Sequence, residues 1–150
     1  MIIQESVTIS APVEIVWEVF TRVENWSDWN PVCRECRLDT GDRLAAGTCL
    51  SFEINPLGLP MRIAPEVKMY EKARRVTWAG SKWGIHAEHA FYFKTVGEKV
   101  RVDSIETFSG PMLLPAKLIG IPGRLHKLTR QLLEAMQTAA ESRYYNEGIN

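Results

Sequence analysis

The side chains best placed to do chemistry are Cys33-x-x-Cys36, His86-x-x-His89 and the lone Glu106. Gly97-Glu98 separates two strand-like runs, Ile85–Val96 and Lys99–Phe108, and suits a two-residue hairpin with glycine first. That turn pairs Val96 with Lys99 and therefore sets His89 opposite Glu106. Cross-strand partners have Cβ atoms roughly 4.5–5.5 Å apart, within reach of an imidazole–carboxylate hydrogen bond. The row holding this pair also carries Ile85, Ala87, Phe91 and Phe93 on one strand, with Val102, Ser104 and Phe108 on the other. It is the apolar, inward row; His86, Glu88, Lys94, Arg101 and Asp103 form the solvent row. Two ionisable groups on an apolar surface are costly unless paired or hydrated. Three roles fit them: a polar anchor in a ligand cavity, a general acid/base pair, or a structural pair closing the sheet.

The same strand geometry argues against a zinc centre built from the two Cys/His runs. Residues three apart on a regular strand point to opposite faces, so the four side chains do not converge. A redox role for Cys33 and Cys36 lacks the helix N-terminus that would activate a thiol. Neither a Ser-His-Asp order, a phosphate-binding glycine loop nor a dinucleotide fingerprint is present. No metal and no cofactor is expected.

The elements that must position this pair read in the order strand, two short helices, six strands, long helix. Ile3, Val7 and Ile9 alternate in a half-buried first strand, Ile2–Ser10. Pro12 suits a first helical turn, and Val13, Val16, Trp17 and Phe20 then form a one-sided apolar stripe. A second short helix ends at Asn30-Pro31. Strands follow at Val32–Asp39, Thr48–Asn55, Met61–Glu71 and Arg75–Gly80; Phe52, Ile63, Met69 and Trp78 fall on their inward rows. Pro65 marks a bulge or an edge within the third of these. Trp17 and Trp26 read as core, Trp83 as a residue at the rim of a strand turn.

From about Pro111 the pattern is helical, with Leu125, Leu128, Leu132, Met136 and Ala139 forming the buried stripe of the last helix. The run Pro111–Gly123 is strongly apolar, yet Pro115 and Pro122 must bend or break any helix there. It is either a lid offering Leu114, Leu118 and Ile121 to a ligand, or the kinked first half of the last helix. Sequential strands prefer to be neighbours, so the six form an antiparallel meander, with the amphipathic helix across its concave face.

With 150 residues the chain is read as one domain, 1–150, able to bury roughly 70% of its unfolded surface. Eighteen basic residues balance eighteen acidic ones, so net charge supports neither nucleic-acid binding nor steering to an anionic membrane. No apolar run is long enough for an integral membrane segment. The start runs directly into strand-like residues without a secretory signal, and three cysteines fit reduced thiols, so a cytoplasmic location is expected. Nothing in the pattern specifies an oligomer.

The run Ala11-Pro12-x-x-x-x-Trp17, then Trp26-Ser-Asp-Trp-Asn-Pro31, resembles the opening of the SRPBCC superfamily of START-like, helix-grip proteins. Glu106-x-Phe108-x-Gly110 is similar to a further family motif, and the element order agrees over the whole chain. The resemblance implies an α+β helix-grip fold: a bent seven-stranded antiparallel sheet around a long C-terminal helix, with a cavity between them. It also implies a wall position for His89 and for the Glu106–Gly110 segment.

A mostly apolar cavity with few polar groups is the default binding site. The first expectation is thus binding of a small hydrophobic molecule, whether lipid, isoprenoid or polyketide-like. Phe52, Ile63, Met69, Trp78, Phe91, Phe108, Leu118, Ile121, Leu125 and Leu128 would form its wall, with His89 and Glu106 as polar handle. An alternative from the superfamily is a polyketide cyclase- or dehydratase-like enzyme using His89 and Glu106 as an acid–base pair. A third is a protein-interaction module of the Hsp90-activator or coenzyme-Q-associated type.

Overall fold

A computed structural model describes residues 1–149. β1 (Ile2–Ile9) is followed by α1 (Val13–Thr21) and a 3₁₀ helix (Val23–Asp28). Pro12 stands just before α1, where its carbonyl accepts from Ile15 and Val16 N–H. Val16, Trp17 and Phe20 are the face of α1 that is buried. Asn30 stops the 3₁₀ helix; its Oδ1 accepts from the backbone N–H of Val32 and Cys33 and turns the chain into the sheet.

Eight strands follow from the alternation: β1, then β2 (Arg34–Leu38), β3 (Leu50–Ile54), β4 (Met61–Ile63), β5 (Glu66–Glu71), β6 (Arg75–Lys82), β7 (Ile85–Val96) and β8 (Lys99–Ser109). The sequence reading counts seven because it joins β4 and β5. Ala64-Pro65 divides them, since proline has no N–H to give a ladder. β2-β3-β4 form one antiparallel run, and β1-β8-β7-β6-β5 form another. The two meet at a corner where Gly47 N–H donates to Val67 O, Val67 N–H to Thr48 O, and Leu50 N–H to Pro65 O.

Two helices complete the chain, α2 (Leu113–Leu118) and α3 (Ile121–Ile149). The prolines break the helix here instead of kinking it. Pro115 and Pro122 each fall in a first turn, where a missing N–H leaves no bond unmade, and Gly120 takes a φ of +79° between the helices. Gly110 is required for a different reason. A Cβ there would come within 2.4 Å of the Gly84 carbonyl oxygen, so only glycine lets α2 approach the β6–β7 turn. No helix among the described residues is long and apolar enough to cross a membrane.

The core centres on Phe20. Its ring lies 4.6 Å from Phe91, 5.4 Å from Phe93 and 5.8 Å from both Trp26 and Trp78. Burial along α3 is graded. Leu132, Met136 and Ala140 are buried, whereas Leu125 and Leu128 are only half-buried, although they belong to the same stripe. The C-terminal part of α3 therefore packs as core, while its first turns roof a space. α3 is clamped to β1 by Glu5, which accepts from Arg130 at 2.8 Å and pairs with His126, and to α1 by Glu18–Arg143 at 3.0 Å.

The gradient orders the cost of truncation. Met136→Ala should destabilise by about 2–5 kcal/mol, the large-to-small core range, and Leu128→Ala by less, because it already borders empty space; urea unfolding of both variants measures this. The hydrogen bond from Arg130, aided by His126 and opposed by partial desolvation, holds Glu5 below the usual carboxylate range. Stability from this clamp is therefore full above the unfolded-state pKa and is lost as pH falls through the lowered folded value. Glu5→Gln should lower the melting temperature at neutral pH and leave it nearly unchanged in acid, where the clamp is already lost, so the acid limb of the profile flattens.

Candidate functional site

Between sheet and α3 lies a cavity of about 450 Å³, within the usual range for a small-molecule site. From the sheet, Phe52, Ile63, Trp78, Phe91 and Phe108 line it, together with His89 and Glu106; from α3 come Ile121, Leu125 and Leu128. Trp26 and Cys33 reach it from the segment before β2.

Gly97 has a φ of +62°, and the β7–β8 register runs from Val96 opposite Lys99 to His89 opposite Glu106. His89 Nδ1 is 3.2 Å from Glu106 Oε2, and its Nε2 is 2.6 Å from Ser104 Oγ. The imidazole stacks on Phe91 at 4.1 Å and meets Trp78 edge-on at 6.1 Å. Both ring nitrogens and one ring face are thus held. An ionised Glu106 accepts from Nδ1–H, and Nε2 shares its hydrogen bond with the Ser104 hydroxyl.

Ser104, His89 and Glu106 share the connectivity of a nucleophilic triad, but the accessible member is different. Ser104 is fully buried and does not line the cavity, whereas Glu106 does. Ser104 consequently orients the ring. The group presented to a ligand is the carboxylate, an acceptor and potential proton carrier on an apolar wall.

Two expected wall residues lie elsewhere. Met69 is 37% exposed and does not border the cavity. The β5–β6 register shifts between Val67 and Met69, reversing the alternation, and Tyr70 takes the inward side 5.4 Å from Trp17. Leu118 is 80% exposed and Leu114 also faces solvent, because α2 buries Ala116 instead. The α2–α3 junction contributes Ile119 and Ile121 to the wall.

A second bulge alters the cysteines. Between Arg34 and Arg37 the β2–β3 register shifts, and Glu35 takes a φ of +47°. Cys33 and Cys36, three apart and expected on opposite faces, therefore meet. The neighbouring thiol, with burial, pushes Cys33 well up; the Cys33 neighbour, opposed by partial burial and helped by the Arg62 charge, lowers Cys36. His86 lies outside and bonds Ser81 at 2.8 Å. Among the described residues no group of three or more His, Cys, Asp or Glu side chains is placed to hold a metal ion.

Sequence reasoning did not find the polar wall members Arg62 and Lys82. They meet only because β4 and β6 are brought together, with Lys82 Nζ donating to Arg62 O at 2.6 Å. Thr129 was detectable, as a small polar residue beside the apolar stripe of α3. Trp83 and Ile119 line the cavity while remaining well exposed, and so mark its mouth. Trp83 has a φ of +53°, a conformation costing a bulky residue about 1–2 kcal/mol. Lys82 Nζ sits 5.1 Å from the centre of its ring.

The gripped helix, bent antiparallel sheet and interior cavity define a START-like, helix-grip protein. The chain belongs to the family described as polyketide cyclase/dehydrase and lipid transport, whose profile matches residues 1–141. No curated protein matches it significantly in sequence. Among solved structures, TTHA0849 from Thermus thermophilus superposes with a TM-score of 0.79 at 16% identity, covering 95% of this chain and 99% of that one. A START superfamily protein from Mycobacterium smegmatis gives 0.71 at 15% identity, covering 97% of each chain. The di-domain ARO/CYC BexL from the BE-7585A biosynthetic pathway gives 0.70 at 14% identity, covering 96% of this chain and 50% of that one. At such identities the likeness establishes the fold alone.

The two thiols are chemically distinct. Iodoacetamide at neutral pH should modify Cys36 faster than Cys33, and Arg62→Met should slow it; timed alkylation with peptide mass spectrometry measures both rates.

Proposed function

We propose that the protein binds a small hydrophobic molecule, a lipid, isoprenoid or polyketide-like compound, with the Glu106–His89–Ser104 chain as its polar anchor. The observation carrying this reading is an apolar cavity whose sheet wall holds one oriented carboxylate. Apolar wall supplies affinity without much chemical selectivity, since each methylene removed from water contributes about 0.8 kcal/mol. Selectivity then rests on Glu106. An ionised carboxylate accepts hydrogen bonds, so it favours a ligand end that donates one, such as a hydroxyl, over one bearing negative charge. Reduced cysteines agree with a cytoplasmic setting.

Cyclase- or dehydratase-like chemistry is the second reading, and the accessible Glu106 favours it. The carboxylate could take a proton from the activated carbon of a bound β-keto chain, forming an enolate, while His89 keeps its orientation.

An environment-sensitive apolar dye should bind the folded protein and be displaced by fatty alcohols or isoprenols. Affinity should rise roughly fourfold per added methylene until the cavity is full. Ile121→Trp should narrow the mouth and weaken binding with little loss of stability. Glu106→Gln should weaken hydroxyl-bearing ligands while melting temperature changes little. A large loss of stability with unchanged affinity would identify a purely structural pair instead. Catalysis requires turnover of a β-keto substrate that Glu106→Gln abolishes with binding retained.

A further inference from the structure

The balanced net charge conceals a strong local segregation. Three segments meet at the cavity mouth: the β3–β4 loop with β4, the β6–β7 turn, and the stretch from the end of β8 into α3. Lys82 Nζ bonds Arg62 O, Met112 N–H donates to Gly84 O, and Arg124 donates to Pro56 O, so each segment touches another. Residues 54–65, 79–87 and 107–133 contain no Asp or Glu at all. Of the six Lys and Arg they carry, Arg62 and Arg130 pair with carboxylates outside these segments, whereas Lys82, Lys117, Arg124 and Lys127 form no salt bridge among the described residues. Arg124 and Lys127 flank a shallow cleft beside Pro56 and Gly58, on the same rim.

The exposed apolar side chains gather on the same end. Leu59, Trp83, Met112, Leu114, Leu118 and Ile119 all lie on these segments, and Ile2, opposite Thr107, lies at the same end of the sheet, whereas Val96 is at the far end of β7 and Tyr145 near the end of α3. Trp83 stands at a strained turn position, which glycine would occupy more cheaply.

We propose that this rim docks the protein peripherally on an anionic lipid bilayer, with the cavity mouth facing the membrane. The apolar side chains would enter the interface, where Trp is favoured, while the unpaired cations face acidic headgroups. A soluble protein partner is the less favoured occupant, because apolar knobs interspersed with cations of one sign match a fluid anionic surface best. Docking would give an apolar ligand a path between bilayer and cavity without crossing water. It stands independently of cavity binding.

The test is flotation of the whole chain with vesicles of one part phosphatidylglycerol to two parts phosphatidylcholine, against phosphatidylcholine alone. The protein should float with the anionic vesicles only, and added salt should release it. Lys117→Glu with Lys127→Glu should weaken association at least about tenfold, and Leu114→Ser with Leu118→Ser should weaken it as well. Lys94→Glu with Val96→Ser lies at the other end of β7, roughly 30 Å away, and should have no effect. These exposed sites leave the core intact, and circular dichroism of each variant confirms folding. Failure to float at low salt, or equal loss from the far-end variant, overturns the docking surface. Retained dye binding in that case leaves the cavity reading standing, and flotation without dye binding would overturn only the cavity reading.

Discussion

The register of the β7–β8 hairpin is the constraint on which the site depends. Glycine at position 97 takes the positive φ that a two-residue turn needs, and every pair from Val96–Lys99 to His86–Ser109 follows without interruption. Because side chains alternate, this register puts His89, Ser104 and Glu106 in one inward row. A slip of one residue would send one strand's members to the outer face. The hydrogen-bonded chain is therefore a consequence of backbone pairing, and its energetic cost on an apolar wall is offset by contacts within the row itself.

The cavity has a different origin. Phe20 packs against Trp26, Trp78 and Phe91 in one buried cluster that also takes in Leu132 and Met136 of α3, and this cluster closes one end of the interior. Towards its N-terminus α3 stands off from Trp78, Phe91 and Phe108 across the cavity, and Leu125 and Leu128 remain half-buried over that open space. The clamps from Glu5 and Glu18 hold the helix from the side, so it does not need to collapse onto the sheet. An interior that packs at one end and stays open at the other is the physical basis for binding.

The open end is also where local conformational cost concentrates. Trp83 in a left-handed conformation, Gly84 and Gly110 in close backbone approach, and two prolines at helix starts all fall around the mouth. Strain of this kind persists only where surrounding structure imposes it, and here the imposing elements are those that form the rim. Charge segregation follows the same geometry.

The sequence by itself determined the element order, the hairpin register and the membership of the inward row, because each rests on local periodicity and on the special backbone of glycine and proline. From those alone His89 and Glu106 could be paired, and the helix-grip architecture recognised. Tertiary structure alone decided what two bulges did. One turned Met69 outward and Tyr70 inward; the other brought Cys33 and Cys36 together. A bulge is a misfit between neighbouring strands, so it leaves no trace in the alternation of either one. The phase of α2 was equally hidden: both Leu118 and Ala116 could have faced inward, and the smaller fits where α2 lies close to the β6–β7 turn. Net charge, a sum over the chain, carried no information about which end the cations would share.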